Sequence, residues 1–427
     1  MMQGAKNDLN ILRLSHEDNA ASILNEYLCA VSLNPGTSIK TSRRMALALR
    51  QSPDVLVCVL REMLASISED ALDEAKRDIN TARSRDIICL GFFDEDYPSS
   101  FRELEDPPLM LYAWADPNLD GLALLSGLES DHSFSLGIVG ARECSSYGRT
   151  QAADLAREAV SLGGVVISGL ASGIDAAAHA CAVNELRRNR IVGAGAVAVI
   201  GSGILSLYPR ENTRLAQAIV EEGGVVLSEF PIKATPRKHF FPQRNRLISS
   251  LSEVVVVIEA AQRSGSLITA RLALEQGKTV GALPGRVDSP YSAGSNDLLS
   301  QGAFICRNID DVVDELTYRK RRAIKKKRDQ QESAIQSRGK EKSAIATVSE
   351  NKLKSPPSKL TQNDLRSEVI SHLSKQTMLC VDELVAYTGT TANNVMAVLG
   401  SLELEGEIYR VSQGFYSLEE FPREPDR

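Results

Sequence analysis

The chain has 427 residues, 43% of them apolar and 24% charged, with a formal net charge of -6. That is the make-up of a globular protein of two or three domains, and it excludes a low-complexity or fibrous chain. No apolar run approaches the ~20 residues that a membrane-spanning helix needs. The polar, acidic start MMQGAKNDLNILRLSHEDNA is unlike a secretory signal or transit peptide, so a cytoplasmic protein is expected.

Residues 1–86 are predicted to form a small helical domain, from segments such as ASILNEYLCAVSL, SRRMALALRQ and PDVLVCVLREML separated by short breaks. A Pro-rich connector, DEDYPSSFRELEDPPLMLYAWADPN, leads into the main domain, 87–317. There the nearly continuous β-branched runs LGIVG, GVVISG, AVAVIG, GVVLSE, EVVVVIEA and KTVGALPG alternate with helical stretches. This is the signature of parallel strands covered on both faces, a doubly wound α/β sheet. Residues 318–359 are highly charged and poor in apolar residues, and are expected to be a disordered basic linker. Residues 360–427 read as three helices and a two-strand wing, a winged helix. Between Asp382 and Tyr409 that module has no Lys or Arg but carries Glu403, Glu405 and Glu407. A DNA-reading helix of that charge would be repelled by phosphate, so protein contact is expected of it before DNA contact.

Chemistry is scarce along the chain. The seven cysteines and five histidines show no CxxC, HExxH or Cys/His spacing, which predicts reduced thiols, no metal and no cofactor. GKT at Gly277 lacks the upstream glycine of a Walker loop, and GAGAVA at Gly193 precedes a strand instead of following one. Asp175 and His179, four apart on one helix, either form an acid/base pair or serve as a helix-start carboxylate and a packed imidazole. Glu229 and Glu259 end strands and could act as bases or orient arginines.

Ligands of open α/β sheets bind beyond the carboxyl ends of the strands. Here those ends are rich in small residues: GARECSSYG, SGLASGID and EAAQRSGSL contribute Arg142, Ser168, Gly169, Gly173, Ser264, Gly265 and Ser266. Glycine lets the backbone approach a ligand closely, and helix starts attract anions. The stretch HFFPQRNRLISS adds Lys238, Phe241, Arg244, Asn245 and Arg246, with no acid from Pro231 to Ser252. Cations beside an aromatic face suit the phosphates and an exposed base of a single strand. On the other reading the phenylalanines are core and the arginines pair with Glu229 or Glu259.

The ordered motifs SGLASGIDAAAH, GSG…YPRENTRL, SEFP, FPQRNRLISSLS, VVVIEAAQRSGSLITA, ALPG and SAGSNDLLSQGA resemble the DNA-processing protein A (DprA, or Smf) family. The resemblance implies an extended Rossmann-like core, a sterile-alpha-motif-like N-terminal domain and a winged-helix C-terminus. It also implies a homodimer that binds single-stranded DNA without cutting it, protects incoming DNA during natural transformation and helps load the RecA recombinase. The residues it implicates are Arg142, the turn Ser168 to Asp175, Lys238, Phe241 and Arg244-Asn245-Arg246. Three positions depart from the family pattern: Ala141 precedes Arg142 where a serine is usual, Leu205 replaces an aspartate, and Ser38 replaces a hairpin glycine.

Two other readings compete. One is a nucleotide phosphoribohydrolase-like enzyme, which the missing PGGxGTxxE motif disfavours. The other is a transcription regulator acting through the winged helix, which the acidic recognition helix disfavours.

Overall fold

Four helices open the described chain: α1 (Asp18–Ser32), α2 (Pro35–Gln51), α3 (Pro53–Ser66) and α4 (Glu69–Arg83). The structure, a computed structural model, describes residues 18–119, 121–128, 130, 133–189, 194–326, 362–373, 379–388, 390–412 and 415–417. Ser52 and Ser68 start α3 and α4 by accepting the Val55 and Ala71 amides, each satisfying an otherwise orphaned donor. Along α4, Ala75, Ile79 and Ala82 recur at helical spacing and are buried.

The core that begins at Leu28, Cys29 and Met45 runs without a break into Leu90, Phe92 and Leu111 of the sheet region. The Tyr112 hydroxyl donates to Asp78 on α4, which also accepts the Ile232 amide. The described residues up to 326 accordingly cluster as one unit, helices and sheet together.

The sheet has nine strands: β1 (Ile87–Gly91), β2 (Met110–Ala115), β3 (Ser135–Val139), β4 (Val165–Ser168), β5 (Gly195–Val199), β6 (Val225–Ser228), β7 (Val254–Val257), β8 (Thr279–Ala282) and β9 (Phe304–Ile305). Their spatial order is β1-β2-β6-β5-β4-β3-β7-β8-β9. Only β1–β2 and β2–β6 pair antiparallel; the rest of the sheet is parallel. Alternate residues feed two cores. Val165 and Ile167 of β4 join one, and Val166 joins the other.

On the Val166 side lie α5 (Ser146–Ser161), α6 (Ile174–Asn189), α7 (Thr213–Glu221) and α11 (Ile309–Glu315). On the other side lie α8 (Phe240–Leu251), α9 (Gly265–Glu275), α10 (Ala293–Ser300) and the N-terminal helices. The sheet is therefore doubly wound, as predicted. From β3 the chain winds outward through β4, β5 and β6, then returns through α8 to place β7 on the other side of β3. This reversal opens a crevice between the carboxyl ends of β3 and β7, the usual ligand position in such sheets.

The segment expected to begin the disordered linker is helical over 318–326. Lys320 pairs with Glu253 at 2.9 Å, and Ile324 is buried in the second core. A single apolar residue one turn beyond a paired lysine anchors it, a signal that charge counting obscures. Residues 327–359 of the expected linker lie outside the described residues.

The C-terminal unit has its own core, built on Leu365, Val369, Leu384, Val395, Leu399 and Leu402. It contains α12 (Gln362–Leu373), α13 (Val381–Thr388) and α14 (Ala392–Leu404). With them goes an antiparallel sheet ordered β10 (Leu379–Cys380), β12 (Phe415–Ser417), β11 (Tyr409–Ser412). This is the predicted winged helix, with one extra short strand. Among the described residues, no helix is long and apolar enough to cross a membrane.

Candidate nucleic-acid interface

The β3–β7 crevice has a volume of about 190 Å³ and is lined by Arg142, Phe241, Arg244, Asn245, Ser264, Gly265 and Ser266, among others. Three segments converge there. The turn after β3 supplies Arg142, the first turns of α8 supply the ring and amide, and the start of α9 supplies the small residues. On α8, Phe241, Arg244, Asn245 and Ile248 recur at i, i+3, i+4 and i+7, which puts them on one face. Asn245 donates to the Gly265 carbonyl at 3.3 Å and ties α8 to the α9 start. Ser264 caps α9, and its hydroxyl lies 2.7 Å from that of Ser266.

Arg142 is exposed, and among the described residues no hydrogen bond or ion pair engages its guanidinium. Its Cζ sits 4.9 Å from the centroid of the Phe241 ring, a cation–π contact. An aromatic neighbour of that ring is Tyr208, 5.8 Å away between centroids and 42% exposed. Sequence reasoning quoted Tyr208 within YPREN but gave it no role. The cue was an aromatic residue at a strand-tip turn.

Glycines let these turns meet. Gly173 has φ +81, and a Cβ there would stand 2.3 Å from the Arg142 carbonyl oxygen. The next amide, Ile174, donates to the Ala141 carbonyl at 3.2 Å. Gly169 is equally tight, since a Cβ would meet Arg244 Nη2 at 2.5 Å.

The remaining predicted cations and Ser168 differ in where they stand. Arg244 is 4% exposed, and its Nη1 donates to the carbonyls of Gly169, at 2.7 Å, and Val199. It is a cation built into the crevice wall. Burial lowers its pKa to about 10, opposed by Asp175 and reinforced by Arg142. Arg246, two residues on, faces elsewhere. It is 7% exposed, grips Glu229 with both terminal nitrogens at 2.8 and 2.7 Å, and reaches Asp106 at 3.1 Å through Nε. Burial opposes its charge, but Glu229 and then Asp106 raise its pKa. Arg246 thus holds the scaffold and does not face the crevice, which corrects the grouping made from sequence.

Ser168 is fully buried, with its hydroxyl on the Ile138 carbonyl at 2.6 Å. Lys238 is exposed just before the α8 start and is not among the crevice-lining residues. Its place on the chain is between Pro236, which lines a neighbouring cavity, and Phe241.

The candidate carboxylate bases are engaged by protein groups, and His179 is buried. Asp175 accepts the Gly169 and Ala171 amides at 3.1 and 3.4 Å, and burial raises its pKa despite Arg244 and these amides. Glu259 accepts both the amide and the hydroxyl of Ser145. His179 is fully buried, and burial, only partly offset by the Ser168 backbone, lowers its pKa from 6.5 to about 4.

Between those two values the unfolded state binds more protons at this site, so stability falls as pH drops through that window. His179→Leu should flatten that part of the acid limb when denaturant stability is compared at about pH 7 and about pH 4.5. An unchanged acid limb would assign the loss to other groups.

Residues 88–317 match the family model described as DNA recombination-mediator protein A, more than half of the chain. The chain belongs to that family. Residues 354–414 match the DprA winged helix domain, consistent with the C-terminal unit of this chain. The family match is echoed by Protein Smf of Escherichia coli, 40% identical over 213 residues, which are 50% of this chain and 54% of that protein. DNA processing protein DprA of Bacillus subtilis is 38% identical over 237 residues, 56% of this chain and 74% of that protein. The chain thus spans about half the length of the first relative and three quarters of the second. Among solved structures, DNA processing protein A (DprA) from Streptococcus pneumoniae superposes with a TM-score of 0.51 at 30% identity, covering 66% of this chain and 96% of that one.

Proposed function

We propose that this member of the DNA recombination-mediator protein A family is a non-catalytic single-stranded-DNA-binding protein. In this reading it works as a cytoplasmic homodimer that protects incoming DNA and helps load RecA recombinase in natural transformation and recombination. The relatives named DNA processing protein DprA, from Bacillus subtilis, and DNA processing protein A, from Streptococcus pneumoniae, support this reading.

The observation that carries the binding claim is the Arg142 guanidinium, unpaired among the described residues, resting on Phe241 at the mouth of the switch-point crevice. A cation there meets a phosphate, and the neighbouring rings offer a face to an unpaired base. In a duplex the bases already stack on each other, so the arrangement favours single strands. The engagement of Asp175 and Glu259 by protein groups supports binding over chemistry.

Salt-resolved titration of single-stranded and duplex oligonucleotides tests the reading. Single strands should bind more tightly, with a slope of about -0.7 per neutralised phosphate. Arg142→Ala should cost about 1.5–3 kcal/mol, a charge-assisted contact, while the fold is retained. Phe241→Ala should remove about 1–3 kcal/mol of stacking and leave the salt slope unchanged. Equal affinity for duplex and single strand would overturn the proposal.

A further inference from the structure

We infer that the bound strand continues past Tyr208 and seats a further nucleotide in a second, larger cavity; this rests on the single-strand reading above. The second cavity has a volume of about 820 Å³, against about 190 Å³ for the crevice. The crevice is too small for a whole nucleotide, whereas the larger space is within the range of pockets that enclose one, roughly 300–1,000 Å³.

The two spaces are continuous in their walls. Tyr208 lines the larger cavity and also a small recess shared with Arg142, Phe241 and Arg244. The segment from Pro236, on the cavity, to Phe241, on the crevice, exposes Arg237 and Lys238 between them. A strand passing from Arg142 to the larger cavity would run beside a segment that carries two exposed cations.

The lining has the chemistry of a base-and-phosphate site. Trp114 on β2 is half-buried, packed against the second core, and lines the cavity. Arg85 and Arg210 stand at the cavity, both exposed and without an ion pair among the described residues. No carboxylate is among the lining residues, and Leu205, 41% exposed, adds apolar surface where the family pattern has an acid. Aromatic faces with unpaired guanidinium groups accept any base and repel no phosphate.

Trp114 is the only tryptophan in the chain, so its fluorescence reports on this cavity directly. The full chain should be titrated with end-labelled oligothymidylates of graded length, following dye anisotropy and tryptophan emission together. Short oligomers should bind without changing the emission, and longer ones should quench it. For the longer oligomers, the Arg85→Ala/Arg210→Ala double variant should flatten the salt slope by about 1.4, two phosphates at ~0.7 each. Trp114→Ala should weaken the long oligomers about tenfold, the lower end of one lost stacking contact. Neither variant should alter binding of the short oligomers.

Binding at every length with steady emission and an unaltered slope in the double variant would overturn the inference and leave the crevice reading standing. Quenching by thymidine monophosphate as strong as by the strand, with no dependence on length, would overturn it in favour of a small-molecule site. Absence of anisotropy change at any length would remove the single-strand reading, and the second site with it.

Discussion

Arg246→Ala should destabilise the main unit by about 3–5 kcal/mol, the usual cost of stripping one partner from a buried ion pair. The effect is large because the side chain serves three places at once. Its terminal nitrogens grip Glu229 at the end of β6, its Nε reaches the Asp106 side chain, and Nη2 also donates to the Asp106 carbonyl at 2.9 Å. Removing the guanidinium leaves Glu229 charged, buried and without its main partner. Arg246→Lys should recover only part of the loss, because an ammonium cannot reproduce the fork. Denaturant unfolding of the three proteins measures this. A stable Arg246→Ala variant that has lost single-strand affinity would instead make Arg246 a direct DNA contact.

Gly173→Ala should damage both the fold and the binding. A non-glycine residue at φ +81 costs about 1–3 kcal/mol in backbone strain. The added methyl would also stand 2.3 and 2.4 Å from the carbonyl oxygens of Arg142 and Ala141, main-chain atoms that cannot rotate aside. Relief requires the turn that carries Arg142 to move. Single-strand affinity measured where the variant is still folded should therefore fall further than its stability. Gly265→Ala is the contrast for the fold, since a Cβ there meets nothing within 4 Å. Wild-type affinity in Gly173→Ala would detach the glycine turn from the interface.

The fold was legible because Val, Ile and Leu runs buried on both faces leave few alternatives, and β3 to β8 formed where those runs lie. The convergence of Arg142, Phe241 and the Ser264 turn was legible as well, because strand tips and helix starts share one edge of such a sheet. The division of labour within Arg244-Asn245-Arg246 was harder to see. Composition marks both arginines as cations, yet neighbours two apart on a helix point in different directions; pairing with Glu229 was the other reading of these arginines, and it holds for Arg246 and not for Arg244. Asp106 lay in a connector that no periodicity singles out. Tyr208 and Trp114 were missed for a related reason. The neighbours of each are set by tertiary packing, and the antiparallel junction of β2 with β6 could not be read from local pattern.

The contact between Arg142 and Phe241 also shapes the thermodynamics of capture. A free arginine side chain surrenders about 2 kcal/mol of rotamer freedom when it is pinned. Here the ring narrows that freedom before any ligand arrives, so less is left to surrender on association. The same benzene face cannot carry the guanidinium and a nucleobase together. On the proposed reading, a base that took this face would displace the guanidinium from the ring and free it for a phosphate oxygen.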